Sequence, residues 1–169
     1  MIDFALLMNY AFENRPFESE VHGIEHWHQV EANGLLLAGR VAGVDVDVVR
    51  LFAIFHDSKR FDDGHDPAHG ERGAEFAKEC REAKLFEIDD ERFDKLYQAC
   101  KFHTHEPKNG DPTIDCCYDA DRLDLGRVGI PLDPEKMATG FGSRIAKQSL
   151  KERVSVFAMR EWIKNLKLP

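Results

Sequence analysis

The sequence predicts an all-α domain, built as a bundle of about six to eight helices. Three observations carry this reading. Apolar residues recur at helical spacing in nearly every segment, strand-like alternation is nearly absent, and the same helix-opening pair, Asp-Pro, stands at 66–67 and 111–112.

In chain order, a first helix covers about residues 2–14. Its start, MIDFALLMNYAFEN, has Asp3 where a signal peptide needs positive charge, so it is expected to remain as an amphipathic helix. A second runs from about His26 to Ala42, with His26, Val30, Leu37 and Val41 on one side. The third, VDVVRLFAIFHD, is opened by Asp45 or Asp47; being apolar on almost every face, it is expected at the centre of the bundle. The fourth starts at DPAHGERGAEFAKE, with Asp66 as N-cap and Pro67 at the first helical position, where its missing N–H does no harm. The fifth spans about Asp90 to Phe102, with Phe93, Leu96, Tyr97 and Cys100 on a stripe. The sixth opens at Asp111-Pro112 and continues through TIDCCYDADRLDL to a stop at Gly126. After a loop rich in Gly and Pro, a last long helix is expected from near Ser143 to about Leu166. GFGSRI at 140–145 lacks the preceding strand, third glycine and Lys-Ser/Thr ending of a nucleotide loop, so it reads as a flexible lead into that helix.

With 169 residues and no repeat or linker, residues 1–169 are expected to form a single domain. A content of 43% hydrophobic and 32% charged residues is that of a soluble globular protein. No apolar run has the length of a membrane span. The formal charge of −8 argues against a nucleic-acid polymer as ligand, because phosphate backbones demand a basic face. A small phosphorylated molecule held by local cations and a metal stays compatible with it. Cys80, Cys100, Cys116 and Cys117 show no CxxC spacing and read as reduced, buried thiols of a cytoplasmic protein.

Four helices each aim a polar ligand-type residue at their oily side. His26 belongs to the Val30/Leu37 stripe, His56-Asp57 terminates the most apolar helix, and Phe93, Leu96, Tyr97 and Cys100 lead toward His103. Ile114, Cys117, Tyr118, Asp121 and Leu125 share one helical face. Any one of these is explained by a hydrogen-bonded core residue. Burying all of them without compensation would cost several kcal/mol, a sizeable part of the ~5–15 kcal/mol that stabilises a domain. Imidazole nitrogen and carboxylate oxygen suit a divalent ion, and one cation offsets the burial of the whole cluster.

The order of these residues resembles the HD-domain superfamily of largely metal-dependent phosphohydrolases. The resemblance lies in His26-Trp27-His28-Gln29-Val30 at a helix start, the apolar helix ending in His56-Asp57, and Ala120-Asp121-Arg122-Leu123. DADRLDLGRVGI in particular looks like the bacterial HD phosphohydrolase subgroup. The resemblance covers roughly residues 20–130, leaving 131–169 as a C-terminal loop and helix. It implies an HD-like all-α fold and the ligand set His26, His56, Asp57 and Asp121 for a divalent ion (Mn, Fe, Co, Ni, Zn or Mg). It also implies His69 and His103 as ligands for a second ion in the dinuclear members. His103-Thr104-His105 replaces the adjacent His pair of the GYP-bearing branch, and GYP itself is missing, so that branch's cyclic-dinucleotide role is not expected.

The expected activity is hydrolysis of a phosphoric ester or anhydride on a small molecule such as a nucleotide. Asp57 would hold the metal and orient the nucleophile, and Lys59, Arg60 and Arg122 would neutralise phosphate charge. Two other readings of the same residues are a di-iron HD-type oxygenase and a non-catalytic metal- or nucleotide-binding module. His22 is placed at the pocket mouth, His28 on the surface, and His65 in a loop or against phosphate. Ile145, Leu150, Val154, Phe157 and Trp162 give the last helix an apolar face for packing on the core, with a homodimer contact as the alternative.

Overall fold

The structure is a computed structural model that describes residues 1–168. Among the described residues there are eight α-helices, three short 3-10 turns and no strand, as the all-α reading requires. The helices are α1 (Phe4–Glu13), α2 (Ile24–Ala38), α3 (Val46–Phe55), α4 (His69–Glu82), α5 (Asp90–Phe102), α6 (Pro112–Arg122), α7 (Gly140–Lys151) and α8 (Met159–Lys164). No helix is long and apolar enough to cross a membrane.

The central element is α3. Val48, Val49, Leu51, Phe52, Ala53, Ile54 and Phe55 are all buried, and α1, α2, α4, α5 and α6 pack around it. Each large side chain so buried contributes ~1.5–3 kcal/mol. Asp45 caps α3 by accepting from the Val48 N–H at 3.1 Å, and Arg92 ties that cap to α5 through two hydrogen bonds. α6 starts as its sequence dictates: Asp111 accepts from the N–H groups of Thr113 and Ile114, with Pro112 at the first position.

Two glycines of α4 set how closely it approaches its neighbours. A Cβ on Gly70 would lie 2.4 Å from the Cys100 carbonyl oxygen, and one on Gly73 would lie 2.3 Å from that of Phe55. Only glycine lets the α4 backbone press against the C-terminal ends of both α3 and α5. Those are the ends that carry His56-Asp57 and His103.

Five boundaries differ from expectation, two of them at helix ends: α2 stops at Ala38 rather than Ala42, and α6 at Arg122, with Gly126 inside the 3-10 turn that follows. Helix α4 begins at His69 rather than after Asp66, because the Asp66 carboxylate is drawn to the Phe61 N–H and to Arg72 instead of capping. GFGSRI is not a loop but the first turn of α7, capped by Thr139, whose Oγ1 accepts from the Gly142 N–H. The expected single helix from Ser143 to Leu166 is broken: α7 ends at Lys151, Arg153 takes a left-handed conformation (φ 53°), and a 3-10 turn at Val156–Ala158 leads into α8. This break lets α8 fold back toward the segment after α6, where Arg160 meets Asp124.

Candidate metal centre

The structure brings His26, His56, Asp57, His69, His103 and Asp121 together. His26 comes from the first turn of α2, His56 and Asp57 from the end of α3, His69 from the start of α4, His103 from just past α5, and Asp121 from the last turn of α6. Their ligating atoms form two groups, His26/His56/Asp121 and Asp57/His69/His103, linked by Asp57, which also reaches His26 and His56 and groups with His22 and His26.

In the first half, His26 Nε2 lies 3.1 Å from His56 Nε2 and 3.2 Å from Asp121 Oδ1. Asp57 Oδ2 is 3.6 Å from His26 Nε2 and 3.7 Å from His56 Nε2. In the second half, His69 Nε2 lies 3.1 Å from both His103 Nε2 and Asp57 Oδ1, and His103 Nε2 is 3.7 Å from that same oxygen. Asp57 thus presents one oxygen to each half.

The outer edges of the rings decide what their inner edges offer. Every Nδ1 of the four histidines faces an oxygen: Asp124 Oδ2 at 2.8 Å for His26, the Phe52 carbonyl at 3.1 Å for His56, the Asp66 carbonyl at 2.5 Å for His69, and the Cys100 carbonyl at 2.7 Å for His103. A carbonyl or carboxylate oxygen only accepts, so each Nδ1 carries the proton and each neutral ring turns the lone pair of Nε2 inward. Four inward lone pairs then meet two carboxylates. Asp57 Oδ1 and Asp121 Oδ1 are buried and accept no hydrogen bond. Such an array of acceptors with so few donors is costly to bury. A divalent cation satisfies it, and nitrogen and oxygen donors of this kind fit one.

Charge and burial pull the site in opposite directions. Burial lowers the pKa of His56, to about 3, despite the attraction of Asp57 and Asp121. For His26, burial also works against the charged form, but the carboxylates of Asp121 and Asp124 beside its two ring nitrogens outweigh it and raise its pKa. Burial is likewise outweighed at His103, which Asp57 raises. Asp57 and Asp121 are held well below the usual carboxylate range by the surrounding imidazoles, with Arg127 helping at Asp121, although their burial acts the other way. Without a cation, then, protons are drawn onto His26 and His103. A metal ion competes with those protons for the same Nε2 atoms.

The three cations expected near phosphate part company. Arg60 does enter the site: its guanidinium lies 3.6 Å from Asp57 Oδ1 and 3.2 Å from His69 Nδ1, anchored by the carbonyls of Asp62 and Gly64. Lys59 turns away to the Asn14 carbonyl at 2.5 Å, with its ammonium 3.7 Å from the centre of the Phe76 ring. Adjacent side chains diverge where a helix ends, and only one of the two can face the ligands. Arg122 is likewise committed elsewhere, donating to the carbonyls of Glu106, Pro107 and Lys136 and so tying two loops to α6. His28 and His65 are exposed, and Cys116 and Cys117 are buried free thiols. His22 sits closer than its mouth position suggested, with Nδ1 2.8 Å from Asp57 Oδ2.

Three residues of the site were not foreseen. Asp124 accepts from His26 Nδ1 and forms a two-pronged pair with Arg160 at 2.7 and 2.8 Å. Arg127 places an N–H group 3.2 Å from His22 Nδ1 and 3.7 Å from Asp121 Oδ1, while donating to the carbonyls of Val21 and Asp124. The signal was in the sequence: Asp124 follows Asp121 by three residues, and Arg127 follows by three more. A cavity of about 410 Å³ adjoins this edge, with Phe12, Arg15, His26, Arg127, Phe157 and Arg160 in its wall.

A helical shell around a buried cluster of imidazoles and carboxylates, divided in two halves by one aspartate, defines a metal-type His/Asp site. No protein-family model matches the chain, and no curated protein matches it. Among solved structures the chain is similar to a predicted HD superfamily hydrolase from an uncultured Thermotogales bacterium. The likeness has a TM-score of 0.67 at 25% sequence identity, covering 96% of this chain and 91% of the other. The resemblance to the HD superfamily drawn from the His26, His56-Asp57 and Asp121 motifs therefore extends to the fold.

Proposed function

We propose that this protein is a divalent-metal-dependent phosphohydrolase acting on a small phosphorylated molecule, of which a nucleotide is one example. The observation that carries the reading is the convergence of four Nε2 lone pairs on two carboxylates whose buried Oδ1 atoms lack hydrogen bonds. The likeness to a protein titled a hydrolase supports the same class.

His26, His56, Asp57 and Asp121 would hold the ion, with Asp57, His69 and His103 available to a second. A divalent ion in such a site acidifies its bound water and draws charge from phosphorus. The chain supplies the rest. Asp124 fixes His26 in the Nδ1–H tautomer and so keeps its Nε2 lone pair turned inward. His22 Nδ1, beside Asp57 Oδ2, can hold or pass a proton at the edge of the site. Arg60 and Arg127 flank the two halves from opposite sides and offer N–H groups to a phosphoryl oxygen. The mostly buried setting strengthens each of these interactions relative to water.

The test is turnover of a panel of phosphomonoesters and nucleotides with Mn, Co, Ni, Zn, Mg or Fe added in turn. Turnover with at least one ion, lost together with bound metal in Asp57→Ala, supports the proposal. Undiminished turnover by a metal-free Asp57→Ala protein would remove it. The two halves together also suit a pair of irons, so two irons per chain and no phosphoester turnover would move the assignment to the oxygenase reading.

A further inference from the structure

The two halves of the centre are unequal in charge. The first has the Asp121 carboxylate to itself and a share in Asp57. The second has two imidazoles and only Asp57 Oδ1. Into this poorer half the fold inserts a cation. Arg60 is almost wholly buried, and its Nε and one terminal nitrogen are held by the carbonyls of Asp62 and Gly64. Its other terminal nitrogen lies 3.2 and 3.3 Å from the two ring nitrogens of His69 and 3.6 Å from Asp57 Oδ1.

That nitrogen donates to the His69 ring and not to the carboxylate, so its charge stands 3.6 Å from Asp57 Oδ1 without a hydrogen bond to it. Asp57 Oδ1 accordingly accepts no hydrogen bond. An incoming anion would compete with the His69 ring for that N–H, while the guanidinium's charge opposes a second cation among the same donors. In the first half Arg127 stands at a similar distance, 3.7 Å from Asp121 Oδ1, but that half has the Asp121 carboxylate in addition to its share in Asp57.

Resting on the metal reading of the preceding section, we infer that Arg60 makes occupation of the Asp57/His69/His103 half conditional on an anion of the phosphate class. With no anion on Arg60, this half binds a divalent ion weakly. When a phosphoryl group accepts from the guanidinium, the repulsion is offset and the ion binds tightly. By linkage the ion tightens phosphate to the same degree. A substrate carrying a phosphate would then assemble the second half of the centre as it arrives.

The experiment titrates the full-length protein with Mn²⁺ by calorimetry and electron paramagnetic resonance, with and without inorganic phosphate. The wild type should bind one ion tightly and a second about tenfold or more weakly, and phosphate should tighten the second selectively. Arg60→Gln should bind the second ion about tenfold or more tightly without phosphate and lose the phosphate effect. Arg60→Lys, which keeps a charge there, should retain the unequal order; melting curves show that each variant is folded. The inference is overturned if phosphate leaves the wild type's second-ion affinity unchanged, a measurement that needs no variant. It is also overturned if a folded Arg60→Gln binds the second ion as weakly as the wild type. Failure of the wild type to bind any ion would instead bring down the metal reading itself, whereas one tight ion with no phosphate effect removes only the role given to Arg60.

Discussion

Replacing Asp124 with asparagine separates two jobs that this residue performs at once. The carboxylate accepts from His26 Nδ1 at 2.8 Å and receives two N–H groups of Arg160 at 2.7 and 2.8 Å. Asparagine keeps an oxygen of similar reach for His26 but loses the charge. A fully buried ion pair stripped of one partner costs ~3–5 kcal/mol. Here Asp124 is buried but the Arg160 side chain is 38% exposed and regains water, so the expected loss of stability is about half that, ~1.5–2.5 kcal/mol. The second job is electronic: a carboxylate behind a ligating imidazole strengthens it as a donor, and losing such a partner lowers metal affinity ~10–100-fold. Urea denaturation of the metal-free protein reads the first quantity, and Mn²⁺ titration of the folded protein reads the second. Asp124→Ala should weaken binding further, because Nδ1–H then has no acceptor. If Asp124→Asn loses stability yet binds metal as tightly as the wild type, Asp124 is a brace between α8 and α2, and the second job does not exist.

Other expectations follow from the same geometry. Gly73→Ala drives a methyl group to 2.3 Å from the Phe55 carbonyl, which is backbone and cannot swing aside. It should lower stability by ~2 kcal/mol or more and weaken metal binding, since α4 is displaced from His56-Asp57; thermal melts and metal titration check both. Lys59→Met should leave KM for a phosphoester within about twofold of the wild type, because Lys59 points to Asn14 and Phe76, whereas Arg60→Gln should raise it tenfold or more. The pKa of Asp45 is lowered: burial acts against this, but the hydrogen bonds from Arg92 prevail. The pair therefore contributes stability above the unfolded carboxylate's pKa of about 3.9, and loses it as pH falls through the lower folded value. The stability gap between wild type and Arg92→Ala, about 1 kcal/mol at neutral pH for a pair so exposed, should close toward pH 3 in denaturation curves. Metal affinity should weaken as pH falls through the raised pKa values of His26 and His103, because protons then hold their Nε2 atoms.

The helices and the inward aim of His26, His56-Asp57, His103 and Asp121 were legible because both depend on spacing, whereas His69 was reached through the family resemblance. A histidine on the stripe of Val30 and Leu37, or an aspartate three residues past Tyr118, must face the same way as its buried neighbours. What was not legible lies where that periodicity stops. Lys59 and Arg60 follow the end of α3, where no helical repeat says which side chain turns inward. Arg122 was assigned to phosphate from its place beside Asp121, but adjacent residues on a helix diverge by about 100°, and its guanidinium went to loop carbonyls instead. Asp124 and Arg127 lie in the turn after α6, and Arg160 on the short helix that an assumed continuous run concealed. The break at Arg153 decides that outcome, and a run of polar residues such as KERVS does not announce a left-handed turn. The Asp66-Pro67 start misled for a related reason: a good N-cap residue is also a good partner for arginine, and Arg72 won.

The central claim is that imidazoles and carboxylates from five helices enclose a cation. Anomalous scattering from crystals grown with Mn²⁺ tests it directly. A strong peak is expected in contact with His26, His56, Asp57 and Asp121, lost in Asp57→Ala crystals. A map with no peak there, or with manganese bound only at surface carboxylates, would contradict it.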